Sequence, residues 1–344
     1  MKINRNLFYF IVLIPLAFIV GVRGDTPDSA VYYRLFKTVD FYDLTSYTGY
    51  YEQTGVELGW GLFSKIVSLF TQSDVILFSL FSLIIFFIIY KTSRLLNINY
   101  LHVMAFYLPT GYFFMQQFMQ IRQALAVSLA VYASLLLLSN KKITSLILFA
   151  TAILFHQISF AFSIVALLYY FLIKKIDISA SLFKFRLLNL LILILGFIFI
   201  RVFLKGYMVN SFDRLESYSE TVEYGGEVGF LSLSNLKGYL LFLFFLFFTD
   251  KGLLHNKLYV FLIYMFTVGL TLRLGFYDFA IVSGRLSNVF LYTEVFILPI
   301  ILMARLSRGL YYASMLLYFI FIAYITWFFQ ASEHLSSSYL RVLS

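Results

Sequence analysis

The densest polar cluster in this otherwise apolar chain is Gln116-Gln117-Phe118-Met119-Gln120-Ile121-Arg122-Gln123. Gln116, Gln120 and Gln123 follow i, i+4, i+7 spacing, which on an α-helix lines one face with amides able to hydrogen-bond sugar hydroxyls. Arg122 adds a planar fork suited to phosphate. The run Phe155-His156-Gln157-Ile158-Ser159 supplies an imidazole, the side chain that titrates near neutrality and can orient or deprotonate an acceptor hydroxyl. Arg201, Arg273 and Arg285 stand near the ends of apolar segments, and Arg285 shares a helix face with Asn288 and Tyr292. Three arginines so placed can neutralise a diphosphate leaving group. Each residue also has a plainer reading, as a helix end, a packing histidine or an interfacial snorkeller. Glu294 falls inside an apolar segment, where a carboxylate needs a partner.

Other chemistries are excluded by what the chain lacks. It has no cysteine, so thiolate metal sites and cysteine nucleophiles are absent, and its four histidines form no H-E-x-x-H pair. No glycine-rich phosphate loop appears, which argues against an ATP-driven pump.

The elements that must position these residues are membrane helices. The 344 residues are 61% hydrophobic and only 12% charged, whereas soluble domains are about half apolar and a quarter charged. Aromatics reach 21%, as lipid-facing Phe and interfacial Tyr explain. Stretches able to cross about 30 Å of hydrocarbon lie near residues 7–22, 75–90, 101–118, 121–139, 143–156, 158–173, 187–204, 236–249, 258–274, 286–304 and 309–329. The first follows Lys2 and Arg5 as a signal peptide would, but no A-x-A-like site closes it and it is read as an uncleaved helix.

Segment 56–71 is the ambiguous one. If it stays at the outer surface, fourteen Lys and Arg residues fall on inner connectors beside only Asp177 and Asp250, as the positive-inside rule prefers. The formal charge of +9 then reflects topology, with no polar domain to bind nucleic acid. The remaining twelve bases are outer and mostly arginine, which suggests an anionic ligand there. The expected fold is all-α, a single transmembrane domain over residues 1–344 with about eleven spans. Outer loops at about 23–74 and 205–235 carry juxtamembrane amphipathic helices and a binding lid. No internal repeat is visible.

The run R-G-D-T-P-D-S-A-V-Y-Y at Arg23–Tyr33, E-L-G-W at Glu57–Trp60, I-R-Q-A-L-A at Ile121–Ala126, F-H-Q-I-S at Phe155–Ser159 and G-R-L at Gly284–Leu286 resembles the EpsG-like and O-antigen polymerase (Wzy) membrane proteins, over roughly residues 1–304. The resemblance implies a glycosyltransferase C-like fold in the bacterial inner membrane, with a periplasmic active site. It implies a polymerase that moves a glycan from undecaprenyl diphosphate onto the sugar of another lipid-linked repeat unit. No cofactor or metal is needed, and a chain-length regulator is a possible partner beside membrane lipid. On that analogy Arg122 and Arg285 hold diphosphate, with Gln116, Gln120, Gln123, Arg201 and Arg273 as further substrate contacts. His156 assists the acceptor hydroxyl, and Arg23, Asp25 and Asp28 shape the site from the first loop.

Two rival classes have similar length. A membrane O-acyltransferase of surface sugars is expected to carry Arg and His near its first spans, which lack histidine here. A lipid-linked sugar flippase or transporter is expected to carry charges through central spans, whereas these gather at outer junctions.

Overall fold

A computed structural model describes residues 5–24, 26, 28–175, 181–204 and 229–330. Among the described residues the structure is helical, without β-strands. Asp25 and most of the 205–235 loop, residues 205–228, lie outside them. The helices are α1 (Arg5–Val12), α2 (Ile14–Gly21), α3 (Ser29–Lys37), α4 (Tyr47–Thr54), α5 (Leu58–Ser68), α6 (Asp74–Leu95), α7 (Tyr100–Tyr107), α8 (Gly111–Phe114), α9 (Ile121–Leu138), α10 (Lys142–Phe155), α11 (Ile158–Phe171) and α12 (Leu182–Phe199). After the undescribed loop come α13 (Leu233–Phe248), α14 (Lys251–Leu254), α15 (Lys257–Gly275), α16 (Ala280–Leu291), α17 (Glu294–Arg305) and α18 (Arg308–Ile325).

Among the described residues, five helices are long and apolar enough to cross a membrane: Asp74–Leu95, Ile121–Leu138, Leu182–Leu204, Lys257–Gly275 and Arg308–Phe328. A sixth span results if Val282–Leu291 and Glu294–Arg305 are joined across their 41° bend. The expected eleven exceed this count because several apolar segments are broken or short. Pro109 ends α7 before the residue that precedes it, so 101–118 is no single helix. Helices α10 and α11 have 14 residues each, about 21 Å of rise against about 30 Å of hydrocarbon.

Contacts divide the chain into two compact units, residues 1–164 with 308–344, and residues 165–307. In the first unit α9 is the core helix, 89% buried along its apolar window, and it packs on α6 and α10. It is apolar all round, as a helix enclosed by others must be. Helix α2 lies along α6, close enough that a Cβ on Gly21 would collide with the Ser79 hydroxyl. In the second unit α15 is the central helix, packed against α12, α13 and α16. Leu182–Leu204 is only 11% buried, and its outward Leu and Ile side chains suit lipid.

Helix α5 has eleven residues, about 16 Å, roughly half a hydrocarbon core. It packs on α3, α4 and α10, with Lys65 ion-paired to Asp40. The first loop is thus a folded layer of short helices.

Candidate functional site in the first unit

Helix α8 passes into a π-turn at Met115–Met119, and Gln120 leaves helical geometry (φ −86°, ψ 50°) before α9 begins. The wider turn and this break undo the i, i+4, i+7 register, so the glutamines do not form one continuous amide face. Gln116 and Gln123 are buried, and Gln120 is half-buried at the junction. The Tyr107 hydroxyl donates to Gln116 Oε1 (3.1 Å) and accepts from Gln117 Nε2 (3.0 Å). Such π-turns occur frequently at functional sites.

The carbonyl of Phe118, inside that turn, gathers donors from the first loop. Arg23 Nη1 donates to it at 3.3 Å, Thr26 Oγ1 at 2.6 Å and Ser29 Oγ at 3.4 Å. The Arg23–Tyr33 run therefore docks on the glutamine-rich turn. Arg23 itself is 2% exposed, with its guanidinium carbon 4.1 Å from the Phe78 ring centroid. Its Nε donates to the Val20 carbonyl at 3.2 Å, while Nη2 is buried with no partner among the described residues. Burial pushes the guanidinium down to about 9, and it stays charged at neutral pH.

One helical turn beyond Ser29, the Tyr32 hydroxyl accepts from Arg122 Nε at 3.1 Å. The Arg122 guanidinium also stands 5.3 Å from the Tyr32 ring centroid. Burial pushes the Tyr32 phenol up, only partly opposed by Arg122, so at neutral pH it keeps its proton. Asp28 stands exposed in a left-handed conformation (φ 67°) at the start of α3.

The hub is Glu57, which precedes α5 and is 2% exposed. Its Oε2 is ion-paired with Arg122 Nη1. Its Oε1 accepts the Gln157 backbone N–H at 3.2 Å and lies 3.6 Å from His156 Nδ1. Such a carboxylate needs this many partners, since an uncompensated buried charge costs several kcal/mol. Gly59 permits the approach: a Cβ there would meet the Leu154 carbonyl oxygen at 2.6 Å, so only glycine brings α5 this close to the end of α10. Trp60 is fully buried against Tyr32, with ring centroids 4.9 Å apart. Of E-L-G-W, Glu57 thus meets Arg122 and His156 directly, Gly59 lets α5 approach α10, and Trp60 packs on Tyr32.

His156 breaks the chain between α10 and α11 (φ −161°, ψ 121°). Its Nδ1 accepts the Ile158 backbone N–H at 3.2 Å, capping the first turn of α11. At this cluster the Arg122 and His156 side chains are 15% and 24% exposed, whereas Glu57 and Tyr32 are buried. Composition suits an oxygen-rich, anionic ligand. Glu57 balances the charge of Arg122 within this cluster.

The second unit holds the other expected arginines. Arg201, in a π-turn at Ile200–Leu204, is ion-paired with Asp278 and 4.5 Å from the Tyr277 ring centroid. Arg273 donates to Asn235 Oδ1 (2.7 Å), Ser234 Oγ (2.7 Å) and Asn288 Oδ1 (3.4 Å). Arg285 is exposed on α16, three residues before Asn288. Glu294, expected within a span, starts α17 just past the bend and is ion-paired with Lys237. Sequence reasoning missed Glu57, Tyr32 and Lys237 as site residues. For Glu57 the available signal was a carboxylate set into an apolar, glycine-bearing run.

The fold and this constellation define a polytopic helical membrane protein whose polar groups converge at span ends. The chain belongs to the EpsG family, whose model matches residues 6–340. It is 28% identical over 316 residues to the amylovoran biosynthesis protein AmsC of Erwinia amylovora, covering 85% of this chain and 78% of that protein. No solved structure matches it.

Proposed function

We propose that this protein polymerises lipid-linked oligosaccharide repeat units, the whole chain acting as one transmembrane domain. The observation that carries this reading is the convergence of four separate sequence motifs on the Glu57–Arg122 pair: the Arg23–Tyr33 run meets Arg122 through Tyr32, E-L-G-W supplies Glu57, I-R-Q-A-L-A supplies Arg122, and F-H-Q-I-S meets Glu57 through the Gln157 N–H and His156. Membership of the EpsG family and likeness to a protein of amylovoran biosynthesis support polysaccharide as the product class.

The donor is a glycan on undecaprenyl diphosphate, and the acceptor is the sugar of a second lipid-linked repeat at the periplasmic face of the inner membrane. The acceptor hydroxyl oxygen bonds to the anomeric carbon while the bond from that carbon to the diphosphate oxygen breaks. The bonding pair leaves with the diphosphate, whose growing charge Arg122 stabilises. Arg23, Gln116, Gln120, Gln123, Arg201 and Arg273 serve as substrate contacts, and Asp25 and Asp28 border the site. A chain-length regulator is an expected partner.

A deletion strain tests the reading. Its surface polysaccharide, resolved on a gel, is expected to show one repeat unit with no ladder. A ladder of normal length would contradict polymerisation, and complete absence of the repeat would point to an earlier step or a flippase.

A further inference from the structure

Helix α10 starts beside Lys141 and Lys142, bases of the kind that mark the cytoplasmic boundary of a membrane. Its 14 residues rise about 21 Å, so Phe155 stops about 9 Å short of the far side of a hydrocarbon layer about 30 Å thick. Helix α6 gives the same depth from the opposite end. It starts at Asp74, is capped by the Ser73 hydroxyl, and follows Gln72, whose carbonyl holds Lys37. Phe81, seven residues further and about 10 Å deeper, meets the Phe155 ring edge to face with centroids 5.8 Å apart. The start of α5 lies at this level. Trp60 and Phe63 stand 5.4 and 5.1 Å from the Phe81 ring, and Gly59 abuts the Leu154 carbonyl. Glu57 accepts the Gln157 N–H two residues beyond Phe155.

The opposite face of α5 is apolar and uncovered. Leu62, Ile66 and Leu69 follow i, i+4, i+7 spacing, Phe70 adjoins them, and all four are exposed, Phe70 by 84%. Lys65 borders this stripe and is ion-paired with the exposed Asp40, as a lysine is when its stem lies along apolar surface and its ammonium reaches water. In water such a stripe would be an apolar patch without a cover; at the depth set by α6 and α10 it has one in lipid.

We propose that α5 is sunk into the outer half of the bilayer, climbing from Glu57 to Thr71, with Leu62, Ile66 and Leu69 against the hydrocarbon chains of the outer leaflet. The Glu57–Arg122 pair then lies below the headgroups, and the chain enters and leaves on the same side. This differs from an amphipathic helix lying flat in the interface, all of whose apolar residues share one depth. The immersion itself does not depend on the polymerase reading. With that reading, a diphosphate carried on a lipid reaches Arg122 sideways within the bilayer, without rising into water.

The chain has no cysteine, so single cysteines can carry nitroxide labels in the full-length protein, reconstituted in vesicles of phosphatidylethanolamine and phosphatidylglycerol. Collision of each label with oxygen, which concentrates in hydrocarbon, is compared with collision with a water-soluble nickel chelate. Ile76, Leu80 and Ile84, exposed at four-residue intervals on α6, form an internal ruler with steps of about 6 Å. The label at Leu62 is expected to read deeper than Ile76 and close to Leu80, with Ile66 and Leu69 successively shallower. Leu62 no deeper than Ile76 would overturn the immersion, and one common depth for the three labels would replace it with a helix lying flat. Leu62→Asp gives a second measurement, because a carboxylate is expensive in hydrocarbon. It should lower the polymer formed per protein synthesised by about tenfold or more, whereas Leu62→Phe keeps the natural amount. An active Asp variant or an inactive Phe variant would contradict a lipid-facing Leu62. If the unaltered protein forms no polymer at all, the polymerase reading fails and the labels alone still decide the depth.

Discussion

At Arg122 three nitrogens have different duties: Nε is held by the Tyr32 hydroxyl, Nη1 by Glu57, and Nη2 remains for a ligand. Lysine has one nitrogen and no fork, so it cannot keep both anchors and still donate onward. Arg122→Lys is therefore expected to insert normally and to lose most of its polymerising activity, about 10²-fold. Arg285, exposed on α16, tests the other reading of outer arginines. If it snorkels, lysine replaces it fully; if it grips diphosphate, Arg285→Lys also shortens the ladder at matched expression. Full ladders in both would remove the arginines from the reaction. The residue that sequence reasoning passed over, Glu57, was hidden because its importance comes from three partners at sequence separations of 65, 99 and 100 residues. Spacing rules on one helix cannot reach that far.

At the scale of elements, α5 decides how the chain sits in the membrane. The Lys37 ammonium donates to the Gln72 carbonyl at 2.6 Å, joining the end of α3 to the residue after Thr71. A helix that began and ended on opposite sides of about 30 Å of hydrocarbon would not allow that bond. Single cysteines placed at Lys37 and Thr71, in a chain that has none of its own, should both be labelled by an impermeant reagent from the outer side. Opposite labelling of the two positions would contradict this topology. Helix existence was largely legible in the sequence: α6, α9, α12, α15 and α18 all coincide with apolar runs. Broken elements were less so. Apolar periodicity does not register a π-turn at 115–119 or the bend between α16 and α17, because it reports which residues face the core and not how the backbone turns. Pro15 at the start of α2 and Pro109 after α7 were visible signals of such breaks.

For the molecule as a whole, the EpsG family and the helical architecture agree with the composition, since a helix satisfies its backbone groups internally in lipid. The motifs Arg23–Tyr33, Glu57–Trp60, Ile121–Ala126 and Phe155–Ser159 were recognisable together, by their order along the chain, but their meeting point was not. That came from a close glycine contact at Gly59 and one carbonyl at Phe118. The most direct measurement reconstitutes the purified protein in liposomes containing its undecaprenyl-diphosphate-linked repeat unit, with no nucleotide sugar, ATP or acyl donor present. Polymerisation predicts that repeats join into a ladder and that one undecaprenyl diphosphate is released for each linkage formed. Repeats that stay single, whether moved across the bilayer or left unchanged, would contradict it.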